Sequence, residues 1–192
     1  MLKTRKPPRD LTEEDFLYPG DVEDAMPEGN LPRLLANYIV EIIFRVFGKS
    51  RVFGAYANLP IYYVEGQPGK HVSPDAFYVE GVSYRKRMRS YRLWKMRVVP
   101  QVVFEIVSER YEKKDVVENR RRYALLGVPE YYWFNPKTKI LCALRFDAPS
   151  GSYTEISPDA EGRYESPILG LQIGLHKGLI GLFHQGIYQL PT

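Results

Sequence analysis

Val102-Val103-Phe104-Glu105-Ile106-Val107-Ser108 sets one acid among five apolar neighbours, four of them β-branched. Such a run predicts a strand buried on both faces. A carboxylate inside it is costly unless a cation or a set of donors answers it. Upstream, Ser73-Pro74-Asp75-Ala76-Phe77-Tyr78-Val79 repeats the arrangement, with Asp75 at the edge of a second apolar β-prone run. If the two strands are neighbours, carboxylates facing the same side come close enough to share one divalent ion. Mg²⁺ takes oxygen ligands and keeps several waters, so Asp75, Glu105 and the backbone carbonyl of Ile106 would suffice. The plain alternative is that Asp75 caps a turn after Pro74 while Glu105 pairs with an arginine.

Between the two acids lies a stretch without any acidic residue that carries Arg85, Lys86, Arg87, Arg89, Arg92, Lys95 and Arg97, interleaved with Tyr84, Tyr91 and Trp94. Locally this is a strong positive field, although the net charge of the chain is only +4. Cationic side chains supply most non-specific DNA affinity, and aromatics can stack on exposed bases. A solvated loop anchored by Tyr91 and Trp94 is the competing reading. Arg120-Arg121-Arg122 offers a second basic cluster, read equally as the solvated face of a helix.

Working outward, residues 1–29 are rich in Pro, Asp, Glu and Gly and read as an extended arm, with a single domain over 30–192. Asn30 is a good N-cap, Leu34, Leu35, Tyr38, Ile39, Ile42, Ile43, Val46 and Phe47 recur at helical spacing, and Gly48 stands at the C′ position. Arg51–Asn58 and Leu59–Glu65 predict short strands. A helix is expected from about Tyr111 to Leu126, with Val116, Val117, Tyr123 and Ala124 inward and Gly127-Val128-Pro129 as its stop. Glu130–Phe134 reads as a strand, Lys139–Phe146 and Ser152–Ile156 as a hairpin, and the tail Pro167–Pro191 as strands with a short helix. Helix, strands, helix, strand implies an α/β fold with a mixed central sheet flanked by helices and an additional C-terminal β-hairpin region.

The 192 residues suit one domain, and 44% apolar with 26% charged content is ordinary for a globular protein. The one cysteine, Cys142, excludes a disulfide framework and reads as a core position. The charged N-terminus has no apolar stretch behind it, and no run approaches bilayer-spanning length; the expectation is a soluble cytoplasmic protein. His71, His176 and His184 have no ligand spacing. No phosphate-binding glycine loop, Ser-His-Asp arrangement or zinc cluster is present.

Taken in order, the Asp75 and Glu105 segments, Ser90-Tyr91-Arg92-Leu93-Trp94, Tyr123-Ala124-Leu125-Leu126-Gly127-Val128-Pro129-Glu130-Tyr131-Tyr132 and Ser166-Pro167-Ile168-Leu169-Gly170-Leu171 resemble the Uma2 family, a branch of the PD-(D/E)XK nuclease superfamily, along most of the chain. The resemblance implies a restriction-endonuclease-like core and Mg²⁺-dependent (or Mn²⁺-dependent) cleavage of DNA. It makes Asp75 and Glu105 the metal ligands, with Ser108 supporting the strand end. The superfamily's usual lysine position is Val107 here, and the helix position that takes its role in this family is Asn119. Lys113 or Lys114 could substitute if the helix start bends inward. Gln101, Asn135 and Pro32 stand where the family commonly has Asp, Asp and His. The expectations are therefore an endonuclease hydrolysing phosphodiester bonds or, alternatively, a catalytically impaired nuclease fold that binds DNA or forms a homodimer through its aromatic C-terminal strands.

Overall fold

The computed structural model describes residues 17–18, 31–48, 50–84, 88–107 and 114–190. The expected arm therefore lies outside the described residues except for Leu17 and Tyr18, as do Asn30, Arg85, Lys86, Arg87, Ser108 and Lys113.

Helix α1 (Leu31–Phe47) begins with Pro32 in its first turn, where a missing N–H is harmless. It ends at Gly48, whose N–H donates to the Phe44 carbonyl at φ +51°. Its inner stripe is Leu35, Tyr38, Ile39, Ile42, Ile43 and Phe47. Leu34, expected on that stripe, is 58% exposed. The three isoleucines are fully buried, worth roughly 1.5–3 kcal/mol each.

The strands β1 (Phe53–Ala57), β4 (Ala76–Glu80), β6 (Val102–Ile106), β7 (Glu130–Asn135), β8 (Ile140–Asp147) and β9 (Ser152–Glu155) form one mixed sheet in the order β1-β4-β6-β7-β8-β9. Only β6 and β7 run parallel; the other neighbours are antiparallel. A parallel pair needs a crossover, and the chain makes it with a π-helical segment (Lys114–Asn119) running into α3 (Arg120–Leu126). Gly127 at φ +69° stops α3 as expected. The expected uniform helix is thus two kinds of helix in succession, and Val117 is half-exposed instead of inward.

Alternation along the strands assigns each face a core. Ala76, Tyr78, Val102, Phe104, Tyr132 and Phe134 face α1 and the second sheet of β10 (Tyr164–Ser166), β11 (Leu171–His176), β12 (Leu179–His184) and β13 (Ile187–Tyr188). Phe77, Val79, Val103, Tyr131 and Cys142 face Tyr123 of α3 and the small sheet of β2 (Ile61–Tyr62), β3 (His71–Val72) and β5 (Tyr91–Arg92). The C-terminal hairpin region is therefore an antiparallel sheet, and the short helix expected in the tail is absent among the described residues. The remaining helix, α2 (Leu93–Met96), is one turn inside the basic stretch.

Candidate active site

The register of β4 with β6 builds the site. Ala76 stands opposite Phe104, Phe77 opposite Val103 and Tyr78 opposite Val102. One step further brings Asp75 beside Glu105, and by alternation both belong to the face that carries Phe77 and Val103. Another step brings Pro74 opposite Ile106. Proline has no N–H, so the ladder cannot close there. The Ile106 N–H instead donates to Asp75 Oδ2 at 2.6 Å, and Pro74 cannot claim the Ile106 carbonyl. Pro74 thus ends the β4–β6 pairing, and the Asp75 carboxylate takes the Ile106 N–H in its place. The Asp75 carbonyl meanwhile accepts from the Asn58 N–H at 2.8 Å, tying the strand entrance to the end of β1.

Glu105 is 4% exposed. Its Oε1 accepts from the Tyr123 hydroxyl at 2.6 Å and from Asn119 Nδ2 at 3.1 Å. Asn119 and Tyr123 are four residues apart, so one helical face carries both donors. Asn119 is the last residue of the π-helical segment; such turns are frequent at functional sites. Burial first, then the adjacent Glu105 carboxylate, with Asp75 adding to it, pushes the Tyr123 phenol well above its ordinary pKa. Tyr123 therefore remains a protonated donor throughout the working pH range.

The structure brings together Asp75, Glu105, Ile106 and Asn119. Lys114 opens the π-helical segment. Arg120 turns elsewhere, donating to the Tyr153 carbonyl at 2.8 Å. Of the basic stretch, Arg89, Lys95 and Arg97 are exposed, whereas Arg92 is buried with Nε on Ser90 Oγ at 3.2 Å. Tyr91 is fully buried, its hydroxyl on the Val98 carbonyl. His71 bonds the Pro68 carbonyl through Nδ1, and His176 stacks on Tyr188.

Two departures have local work. Gln101 accepts from the Glu80 N–H and donates to the Val99 carbonyl, bracing the entrance to β6. Asn135 Oδ1 accepts from the N–H groups of Lys137 and Thr138, capping the β7–β8 turn. Sequence reasoning missed a second buried acid, Glu130. Its Oε2 accepts from Ser166 Oγ and Tyr132 Oη, and Arg145 lies 3.6 Å from Oε1. The signal is the acid at the head of an apolar strand, masked by its place just after the Gly-Val-Pro stop.

A family profile described as "Putative restriction endonuclease", Uma2, matches residues 15–179. The chain belongs to the Uma2 family. Among solved structures, the chain is similar to "a putative nuclease belonging to DUF820" from Anabaena variabilis, with 18% identity, 75% of each chain covered and a TM-score of 0.53. At that identity the likeness concerns the fold alone, which is the mixed α/β nuclease fold. No curated protein sequence matches. No helix among the described residues is long and apolar enough to cross a membrane.

Proposed function

We propose that this Uma2 chain is a Mg²⁺-dependent (or Mn²⁺-dependent) DNA endonuclease that hydrolyses phosphodiester bonds at Asp75 and Glu105. The observation that carries the reading is the β4–β6 register, which, continued by one residue, aligns Asp75 with Glu105, together with the Ile106 N–H on Asp75 Oδ2. The donor set suits a hard cation: two carboxylates and the Ile106 carbonyl are all oxygen, with water and a phosphate oxygen left to complete the shell. When bound, such an ion supplies an activated water and stabilises charge on the phosphoryl group.

The protein's own contribution is positioning. Tyr123 and Asn119 fix one Glu105 oxygen, and the Ile106 N–H fixes one Asp75 oxygen. That holds both carboxylates in place before an ion or substrate arrives. Exposed Arg89, Lys95 and Arg97 offer cations to the phosphate backbone, and the proposal extends to Arg85, Lys86 and Arg87 of the same stretch and to the buried Arg92. The proposal extends, by the family resemblance alone, to Ser108 as a supporting residue and to Lys113 or Lys114 as a source of the charge that Asn119 does not carry.

One observation favours a second reading, a nuclease fold that binds DNA without cutting it. Asn119 occupies the family's lysine position and spends its amide on Glu105, offering hydrogen bonding but no charge. Incubating supercoiled plasmid with the protein and Mg²⁺ or Mn²⁺ decides between them. Nicking that Asp75→Ala abolishes supports the endonuclease; salt-dependent binding without nicking supports the second reading. Neither cutting nor binding defeats both.

A further inference from the structure

Outside the carboxylate site, the basic stretch and the small sheet meet at an aromatic corner packed around one ring. Tyr62 pairs with Arg92 across the parallel β2–β5 step and with His71 across β2–β3. Into this corner comes Tyr18, 2% exposed although it lies far upstream in sequence. Its ring centroid is 5.0 Å from that of Tyr62, nearly edge-on, and 5.0 Å from that of Trp94. The Arg92 guanidinium stands over the ring at 5.4 Å, and the hydroxyl accepts from the Gly66 N–H at 2.7 Å. The Trp94 Nε1 is buried and has no hydrogen-bond partner among the described residues.

We propose that the corner of Tyr62, Trp94 and Arg92 is a stacking site for an unpaired DNA base, and that Tyr18 occupies it from within the chain as a displaceable plug. The proposal rests on the DNA-cleaving or DNA-binding reading above and adds where a base would go and what keeps it out. Two aromatic rings and a guanidinium plane form a sequence-tolerant surface for a flat π-system. Tyr18 satisfies that surface with ring contacts and one hydrogen bond. A base reproduces the ring contacts and carries additional acceptors, one of which the Trp94 indole N–H can meet.

The location fits. Trp94 and Arg92 belong to the basic stretch, whose exposed Arg89, Lys95 and Arg97 would follow the backbone of a strand whose base takes the place of Tyr18. His71, the partner of Tyr62, precedes Asp75 by four residues, a span of at most about 14 Å. The small sheet and the two carboxylates also lie on the same face of the central sheet. A base stacked in the place of Tyr18 therefore belongs to a nucleotide within a few steps of the proposed scissile bond.

The test measures binding of the full chain to a fluorescein-labelled single-stranded oligodeoxynucleotide, in EDTA so that nothing is cut. The same phosphodiester backbone without bases serves as the paired probe. Tyr18→Ala is expected to bind the oligonucleotide about tenfold tighter than wild type, with the abasic probe unchanged and the gain lost in Tyr18→Ala/Trp94→Ala. Unchanged or weaker oligonucleotide binding by a folded Tyr18→Ala overturns the proposal and leaves Tyr18 a structural anchor. An equal gain for the abasic probe also overturns it, because the segment would then screen phosphate.

Should Tyr18→Ala fail to fold, Trp133→Phe leaves Trp94 as the sole tryptophan of an otherwise intact chain. Its emission should then respond to the oligonucleotide and not to the abasic probe; an unresponsive Trp94 overturns the plug. Salt-dependent DNA binding that is indifferent to Tyr18 and Trp94 sinks this inference alone. Absence of any DNA binding sinks the functional reading beneath it.

Discussion

Two buried glutamates sit on adjacent strands and face opposite ways. Glu130, on the face toward α1, is answered by Ser166, Tyr132 and the cation of Arg145. Glu105, on the face toward α3, is held by Tyr123 and Asn119 but stands beside a second carboxylate, Asp75. The first arrangement is a clasp: it ties the head of β7 to the end of β10, joining the two large sheets. The second sets two acids on one face at the end of a strand pair, the arrangement on which the proposed metal site is built. Burial of an acid thus does not by itself mark a site. What separates the two is whether the neighbour in register is another acid.

The largest expected effect tests that contrast on activity. Glu105→Gln keeps the shape and the donors from Tyr123 and Asn119 but removes the charge a metal needs. Nicking by the wild type should fall by at least about 10²-fold, the loss typical of a preorganised electrostatic group. Glu130→Gln, equally buried, should change the nicking rate little. Equal losses in both variants would mean that Glu105 is only a second clasp. The measurement is the rate of plasmid relaxation in Mn²⁺, with circular dichroism to show that both variants fold.

Next in size is Asn119→Lys. The substitution puts an ammonium on the helical face that Asn119 shares with Tyr123, where the proposal places the family's lysine. Nicking should rise on the order of tenfold, or appear where the wild type shows none. Unchanged nicking would locate the missing charge elsewhere, with Lys113 and Lys114 the residues to mutate next.

Much of this contrast is legible in the amino-acid sequence. An acid flanked by five apolar residues can hardly belong to a surface strand. Period-2 alternation puts Asp75 with Phe77 and Glu105 with Val103, but that these faces coincide follows only from the β4–β6 register. The role of Glu130 is not legible, because its partner Ser166 is 36 residues away and nothing local records a contact at that range. Tyr18 is hidden for the same reason: a lone tyrosine among prolines and acids carries no periodicity. The π-helical segment escapes because helix propensity does not distinguish i→i+4 from i→i+5 bonding, and a regular helical period places Val117 inward.

Stability separates the two acids more gently. Ser166→Ala removes a donor from a buried carboxylate and should cost about 1–3 kcal/mol, lowering Tm by roughly 2–4 °C for each of those kcal/mol. Tyr123→Phe does the same at Glu105. The two variants should therefore melt alike, yet only Tyr123→Phe should slow nicking, since only it loosens a carboxylate of the proposed site. Thermal melts and plasmid relaxation on the same preparations decide this, and a nicking defect in Ser166→Ala would blur the division between clasp and centre.

The smallest effect is a pH slope. Burial raises the Glu130 pKa above the ordinary carboxylate value of 4.5, and the hydrogen bonds from Ser166 and Tyr132, with Arg145, pull it only partly back. A group whose folded pKa lies above its unfolded pKa binds protons more tightly when folded. Its contribution to stability is complete below 4.5 and is lost as pH rises through the folded value. Glutamine stays neutral throughout and keeps a side-chain oxygen for Ser166 and Tyr132. The Tm of Glu130→Gln minus that of wild type should therefore increase as pH rises from below 4.5 through the folded pKa, and then level off. A difference that is flat across that range, or that decreases, would mean that Arg145 and the hydroxyls outweigh burial, and that Glu130 is held as a full charge within the clasp.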